Sequence, residues 1–342
     1  MTQDTNQKIV LASRPEGAPS EANFRLEHAE VPEPGDGEVL LQTVYLSLDP
    51  YMRGRMSAAK SYADPVEIGQ VMVGSTVNRV LTSRHPDYAE GDVVLGNSGW
   101  QTYSVARGEG LRKLDPAQAP VSSALSVLGM TGLTAYVGLL NIGKPQAGET
   151  VVVSSAAGAV GSVVGQIAKL RGCRVVGVAG TQEKNAYLKT LGFDESLNYK
   201  ADNFADELAA ACPDGVDVYF ENVGGGVFEA VLPLLNVGAR VPVCGLIAHY
   251  NQTSLPGGPN QVPQLMSSVL TKRLLLQGFI VGDHFERLPD FTRDMSGWVK
   301  TGEVKYKEDI VEGLKNAPRA FIELLSGGNF GKLLVEVSAP PH

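Results

Sequence analysis

The segment from Thr150 to Gly172 constrains the fold of this chain more than any other. Thr150 to Ser154 is a continuous run rich in β-branched residues, as in a parallel strand buried on both faces. It leads directly into Ser155-Ala156-Ala157-Gly158-Ala159-Val160-Gly161. Val160, Val163, Val164, Ile167 and Ala168 then fall at helical spacing, closed by Gly172. Strand, glycine loop and helix in this order match the dinucleotide pattern G-x-G-x-x-G, with Ala156 in the place of the first glycine. Gly158 takes the second place, where a side chain would keep backbone N–H groups from a pyrophosphate. Gly161 takes the third, where the helix packs close to its strand. Ala157, Gly158, Ala159, Val160 and Gly161 are therefore expected to face a dinucleotide, with the positive end of the helix toward the anion. The bland alternative is a glycine-rich corner with no ligand, and the strong flanking strand and helix weigh against it.

The alternation continues beyond this corner. Val175 to Val178, Val216 to Phe220, Ala239 to Val243 and Leu274 to Ile280 read as further strands. Helices between them carry Tyr187, Leu188 and Leu191, then Phe204 with Leu208, Val227 with Val231, and Leu265 with Leu270. This predicts an α/β fold with a doubly wound, mostly parallel sheet. The first third has a different texture. Val39-Leu40-Leu41, Val71-Met72-Val73 and Val93-Val94-Leu95 are short apolar runs separated by Pro34-Gly35, Gly69, Gly74 and Gly91-Asp92. Short strands with frequent turns predict a small, partly closed barrel. A chain of 342 residues is long for one core, which also points to two domains. Phe330 to Val337 reads as a late strand returning to the first domain. The expected division is 1–125 with 317–342, and 126–316.

Charge and cysteine content exclude several classes. A net charge of −8 leaves no basic footprint for nucleic acid. Cys173, Cys212 and Cys244 are three scattered cysteines without a C-x-x-C pair, which argues against a disulfide framework and against structural zinc. The expectation is a reduced, cytoplasmic protein. Met1 to Lys8 is polar and lacks an apolar signal core, and Leu274 to Val281 is too short to span a bilayer.

The second strand selects the nucleotide. An NAD site places Asp or Glu at its tip to hold the ribose hydroxyls. Here the tip is Gly180-Thr181, and Lys184 follows one turn into the next helix. A 2′-phosphate meets no repulsion at the tip and finds a counter-charge, although Glu183 stands beside the lysine. The expected cofactor is NADPH.

Leu48-Asp49-Pro50-Tyr51-Met52-Arg53, Leu128-Gly129-Met130-Thr131-Gly132-Leu133-Thr134-Ala135-Tyr136 and the loop Ala156 to Gln166 resemble the zinc-free medium-chain dehydrogenase/reductases. The resemblance is to the branch of leukotriene hydroxydehydrogenase/prostaglandin reductases, alkenal double-bond reductases and curcumin reductases. Glu221-Asn222-Val223-Gly224-Gly225, Cys244 to Asn251 and Gly328-Asn329-Phe330-Gly331-Lys332 extend it over nearly the whole chain. It implies a Rossmann NADP(H)-binding domain with a discontinuous GroES-like substrate domain. It also implies that Met130 and Gly132 lie near the nicotinamide, and Lys184 and Tyr199 near the adenosine phosphate. Asn222, Cys244, Gly245, Leu246, Ile247 and Tyr250, the segment from Phe279, Ile280 and Val281 to Phe285, and Asn329 would line the remaining cofactor path. Zinc members carry Gly-His-Glu, where this chain has Gly69-Gln70-Val71, and a catalytic cysteine near the place of Ser47. None of these replacements can serve as the missing ligand.

These replacements restrict the chemistry. Hydride addition to an isolated ketone builds an alkoxide, which favours a Lewis acid. Addition to the β-carbon of an enal or enone builds a delocalised enolate that a tyrosine or ribose hydroxyl can stabilise. Tyr250, at the end of a strand where such sheets bind ligands, is the first candidate donor, and Tyr51 the second. Tyr62 is a weaker third. Arg53 meets a substrate carboxylate or salt-bridges within its own domain. His249 reads as a loop residue and Cys244 as a packing residue. The rival readings are a quinone reductase, an allylic alcohol dehydrogenase and a non-catalytic nucleotide-binding protein. The resemblance also implies a homodimer, for which the edge strand near Leu274 to Ile280 is available.

Overall fold

A computed structural model describes residues 5–254 and 260–340. The first four residues of the polar opening Met1 to Lys8 lie outside that range. The chain forms two compact units: Met1–Ser126 with Glu308–His342, and Val127–Lys307.

The first unit opens with β1 (Thr5–Leu11) and β2 (Phe24–Glu30), an antiparallel pair. Then come β3 (Glu38–Ser47), the short helix α1 (Tyr51–Arg55), β4 (Thr76–Ser83), β5 (Val93–Gly96), β6 (Tyr103–Arg107) and β7 (Arg112–Leu114). Val71-Met72-Val73, expected as a strand, is a loop with one bridge from Val71 to Val10. It still runs beside β1, the Met72 N–H donating to the Ile9 carbonyl oxygen at 3.0 Å, and Met72 is fully buried in the cluster that holds Trp100 and Phe321.

The second unit contributes α2 (Met130–Val137), β8 (Thr150–Val153), α3 (Gly161–Leu170), β9 (Arg174–Ala179), α4 (Gln182–Thr190), β10 (Glu195–Asn198) and α5 (Phe204–Ala211). It continues with β11 (Val216–Phe220), α6 (Gly225–Val231), β12 (Leu235–Val243), α7 (Val262–Lys272), β13 (Leu275–Gly278) and α8 (Leu288–Thr301). Its sheet runs β10-β9-β8-β11-β12-β13, all parallel. Val151, Val152 and Val153 of the central strand are fully buried, each contributing about 1.5–3 kcal/mol of apolar stabilisation. The strand order reverses between β8 and β11, which makes this a Rossmann sheet and marks the crevice where such sheets bind ligands. β10 has no clear sequence signal, since Leu197 is its only strongly apolar residue and every position is half-buried.

The chain returns to the first unit with β14 (Glu308–Glu312), α9 (Ala317–Leu325) and β15 (Lys332–Glu336). β14 pairs with β15, and β15 with β3, extending the sheet β14-β15-β3-β4-β5-β7, on which β6 also pairs with β3. This pairing is why residues 308–316 pack with the first unit.

Candidate functional site

The glycine loop connects β8 to α3 by close backbone packing. Ser155 takes a left-handed conformation, φ 48°, uncommon for a residue with a side chain. A Cβ on Gly161 would stand 2.4 Å from the Ser155 carbonyl oxygen and 2.8 Å from the Ala156 Cα. No side chain fits there, so helix and strand meet as the third glycine requires. Gly158, Ala159 and Val160 are partly exposed above it, while Ala157 is buried.

Behind the loop lies a polar network that the sequence did not disclose. Ser154 Oγ lies 2.9 Å from Glu221 Oε1 and accepts the Asn222 N–H at 2.8 Å. The Asn222 amide donates to the Ser154 carbonyl oxygen at 2.8 Å, and the Val223 N–H to Glu221 Oε1 at 2.6 Å. Glu221 and Ser154 are buried. The network ties the end of β8 to the end of β11 across the reversal of strand order.

The tip of β9 brings together Gly180, Thr181, Lys184 and Tyr199. The Tyr199 ring covers Gly180 so closely that a Cβ there would stand 2.8 Å from it. Thr181 caps α4, its Oγ1 accepting the Lys184 N–H at 3.2 Å. The nearest carboxylate in sequence, Glu183, lies in the first turn of α4 and not at the tip. The bare tip, the glycine loop and the positive end of α3 fit a dinucleotide with a phosphorylated ribose.

The segment after β12 is seated on the same network. The Cys244 N–H donates to the Glu221 carbonyl oxygen at 2.9 Å, the Ile247 N–H to Asn222 at 3.3 Å, and the Ala248 N–H to Val223 at 3.0 Å. The loop thus follows the end of β11, with Tyr250 folded back over Gly245. The Leu246 N–H points at the Tyr250 hydroxyl oxygen, 3.4 Å away. His249 Nδ1 lies 3.0 Å from Gln252 Oε1, within the loop. Burial and the Glu221 carboxylate push the Cys244 thiol up to about 12, so it stays protonated at neutral pH. Met130 is exposed at the start of α2, whereas Gly132 is buried against the Val127 carbonyl oxygen. Phe279 packs edge-on against Phe220, followed by exposed Ile280 and half-buried Val281.

In the first unit, Tyr51 opens α1 beside a pocket of about 270 Å³, also lined by Arg55, Val71, Val73 and Asn97. Burial and the negative charge of Asp49 raise the Tyr51 hydroxyl well above its usual range, with Tyr62 and Arg55 close enough to act on it. Tyr62 is 61% exposed. The segment leading to α1 is held by charge. Lys332, 2% exposed, donates to the carbonyl oxygens of Leu48 at 2.7 Å and Leu333 at 3.1 Å, and to Asp49 Oδ1 at 3.0 Å. Ser47 bonds the other Asp49 oxygen. Sequence motifs had flagged both Asp49 and Lys332, but nothing linked positions so far apart. Arg53 is 6% exposed and its Nη2 donates to the Gly17 carbonyl oxygen at 2.8 Å, an intradomain anchor. Asn329 sits in the turn before β15, its amide on the Gly331 carbonyl oxygen. Tyr51, Tyr62, Arg53 and Asn329 thus belong to the first unit, and every other expected site residue to the second.

At the positions of the zinc ligands, Gln70 accepts the Glu67 N–H and Ser47 serves Asp49. Among the described residues, no three His, Cys, Asp or Glu side chains are grouped to hold a metal.

A family model described as the N-terminal domain of oxidoreductase matches residues 7–114, and one described as zinc-binding dehydrogenase matches 159–297. The chain is 58% identical over 335 residues to NADPH-dependent curcumin reductase of Escherichia coli (strain K12), covering 97% of each. It is 40% identical over 345 residues to 2-alkenal reductase (NADP(+)-dependent) of Nicotiana tabacum, covering 98% of each. A crystal structure of CurA in complex with NADPH from Vibrio vulnificus superposes with a TM-score of 0.95 at 55% identity, covering 98% of this chain and all of that one. The chain belongs to the medium-chain dehydrogenase/reductase family, in the branch of the curcumin and 2-alkenal reductases.

Proposed function

We propose that this protein reduces the conjugated carbon–carbon double bond of α,β-unsaturated aldehydes and ketones with NADPH. The observation that carries the reading is the set of loops at one edge of the Rossmann sheet. The glycine loop, a β9 tip without a carboxylate and the Tyr250 loop follow the ends of neighbouring parallel strands. Ala157 to Gly161 would hold the pyrophosphate, and Gly180, Thr181, Lys184 and Tyr199 the 2′-phosphate. Met130, Gly132, Asn222, the Cys244 to Tyr250 segment, Phe279 to Val281 and Asn329 would line the rest. NADPH, when bound, supplies the hydride that adds to the alkene β-carbon.

The chain's own groups stabilise the charge that develops on the substrate oxygen. Tyr250 donates a hydrogen bond to it, its own oxygen steadied by the Leu246 N–H. Tyr51 is the second donor. Burial and Asp49 keep its hydroxyl protonated at neutral pH, so it donates and never competes as an anion. Tyr62 would contact the substrate, and Arg53 acts indirectly by anchoring the Gly17 turn to α1. The first unit is the substrate domain and the second the cofactor domain.

The test is a panel of enals, enones and quinones with NADPH and with NADH, with products identified by mass spectrometry. A saturated carbonyl product supports the reading. A hydroquinone as the only product, or an allylic alcohol from an enal, overturns it. Tyr250→Phe should lower kcat on the order of 10²-fold, and unchanged turnover removes Tyr250 from the oxyanion role.

The working form is a homodimer. β13 is a terminal strand with an open edge, and Val262, Met266 and Leu270 form an exposed apolar stripe on α7, with Leu275 exposed on β13. Light scattering should give twice the chain mass, and Leu270→Glu should shift it toward the monomer. Three free cysteines suit the reducing cytoplasm.

A further inference from the structure

We infer that the buried side chains of Glu221 and Ser154 are positioning residues for Tyr250. They hold the chain at Asn222 and Val223, and that stretch seats the turn from which the Tyr250 hydroxyl is aimed. The inference rests on reading Tyr250 as the donor to the enolate oxygen.

Glu221 is the first residue after β11 and is 1% exposed, and Ser154, the first after β8, is fully buried. Burying a carboxyl group is costly unless donors meet it. Here two donors converge on one oxygen: Glu221 Oε1 accepts the Val223 N–H at 2.6 Å and the Ser154 hydroxyl at 2.9 Å. The Ser154 hydroxyl oxygen in turn accepts the Asn222 N–H at 2.8 Å, and the Ser154 carbonyl oxygen accepts the Asn222 side-chain amide at 2.8 Å. Asn222 and Val223 are thereby held through both backbone N–H groups and through the Asn222 side chain.

Their carbonyl oxygens face the other way, toward the loop. Asn222 accepts the Ile247 N–H at 3.3 Å and Val223 the Ala248 N–H at 3.0 Å, and the Tyr250 N–H closes the turn on the Ile247 carbonyl oxygen at 3.3 Å. The chain leaves this corner through Gly224, whose φ is 78°. A Cβ there would stand 2.9 Å from the His249 ring and 3.2 Å from Leu246, so the turn lies directly on the corner. The Tyr250 hydroxyl comes back to the same place. A Cβ on Gly245 would stand 3.1 Å from that hydroxyl and 3.5 Å from the Asn222 carbonyl oxygen. The direction of two carbonyl groups thus sets where the tyrosine points, and Glu221 and Ser154 set the carbonyl groups. Transition-state hydrogen bonding is sensitive to such placement: a shift of about 1 Å can cost on the order of 10²-fold in rate.

The experiment is a double-mutant cycle on the full-length protein, reading kcat for a simple enone at saturating NADPH. Glu221→Met keeps the length of the side chain and removes the acceptor. It should lower kcat about ten- to a hundredfold, with a smaller change in the KM for the enone. In a Tyr250→Phe background the same change should lower kcat by less than about twofold, because the group it acts through is already gone. Glu221→Gln keeps an acceptor oxygen and should recover most of the loss. Unchanged kcat in Glu221→Met, or losses that multiply in the double variant, overturn the positioning role. Should Glu221→Met fail to fold, Ser154→Ala runs the same cycle with the loss of one hydroxyl. Its expected effect is about three- to tenfold in wild type and none beyond Tyr250→Phe, and an uncoupled effect overturns the inference equally. Unchanged turnover in Tyr250→Phe itself overturns the oxyanion reading and the positioning role with it. A fall in Tyr250→Phe without coupling to Glu221 or Ser154 overturns the positioning role alone.

Discussion

The glycine loop of the second unit and the Tyr51 arm of the first are built by opposite means. The loop depends on what is absent: at Gly161 a single added carbon would collide with the Ser155 backbone, as one at Gly180, on the tip of β9, would with the Tyr199 ring. The arm depends on buried charge: Lys332 grips Leu48, Leu333 and Asp49 from inside the core, and Ser47 holds the remaining Asp49 oxygen. Exclusion of side chains brings backbone against backbone, as the proposed pyrophosphate site requires. Buried charge holds the segment that leads into α1, at whose start Tyr51 lines its pocket. The loop should therefore fail when volume is added, and the arm when a charge is removed.

The largest effect is expected in the arm. Lys332→Met removes the buried cation and leaves half-buried Asp49 with Ser47 alone, and should cost about 3 kcal/mol of stability. Denaturant titration measures it, and removing both charges in Lys332→Met/Asp49→Leu should recover part of the loss. No recovery would mean that the lysine stem, and not the pair, is what matters. Next is the nucleotide preference: Lys184→Ala should weaken NADPH by about 1.5–3 kcal/mol and barely alter NADH. Equal losses for both nucleotides in a titration would remove Lys184 from the phosphate site. Gly161→Ala should destabilise the second unit by about 1–3 kcal/mol through overpacking and weaken both nucleotides alike. An unchanged melting temperature would break the contrast drawn above.

The smallest effect tests a half-buried charge in the second unit. Burial alone would raise the Asp194 carboxyl, but Lys169 at 2.9 Å and the Val175 N–H at 2.7 Å outweigh it and hold the group below its ordinary 3.8. A depressed carboxyl gives stability that is present above the unfolded value and lost as pH falls through the folded one. The gap between wild type and Asp194→Asn should persist at neutral pH and close below about pH 4. With both side chains about one-third exposed, it should stay under about 1 kcal/mol.

Much of the Rossmann unit was legible because its strands are buried on both faces and its glycines mark corners. Val216–Phe220 was readable to the residue, and the loop Ala156 to Gly161 as a tight glycine corner between strand and helix. β10 was not, because an edge strand needs no apolar run. Val71-Met72-Val73 misled because a buried loop with a single bridge leaves the same apolar pattern as a strand. Arg53 and Arg55 could not be told apart in sequence, since a short helix sends one guanidinium into the core and the other to a pocket.

By itself, then, the order of residues determined the doubly wound sheet, the phosphate loop and the missing carboxylate at the tip of β9. Each is a local property, set by a few neighbours along the chain. Only the tertiary structure decided which polar groups meet: Lys332 with Asp49, and Glu221 with Ser154. The reason is physical: pairing in a buried, low-dielectric interior depends on distance in space, and separation along the chain carries no information about it.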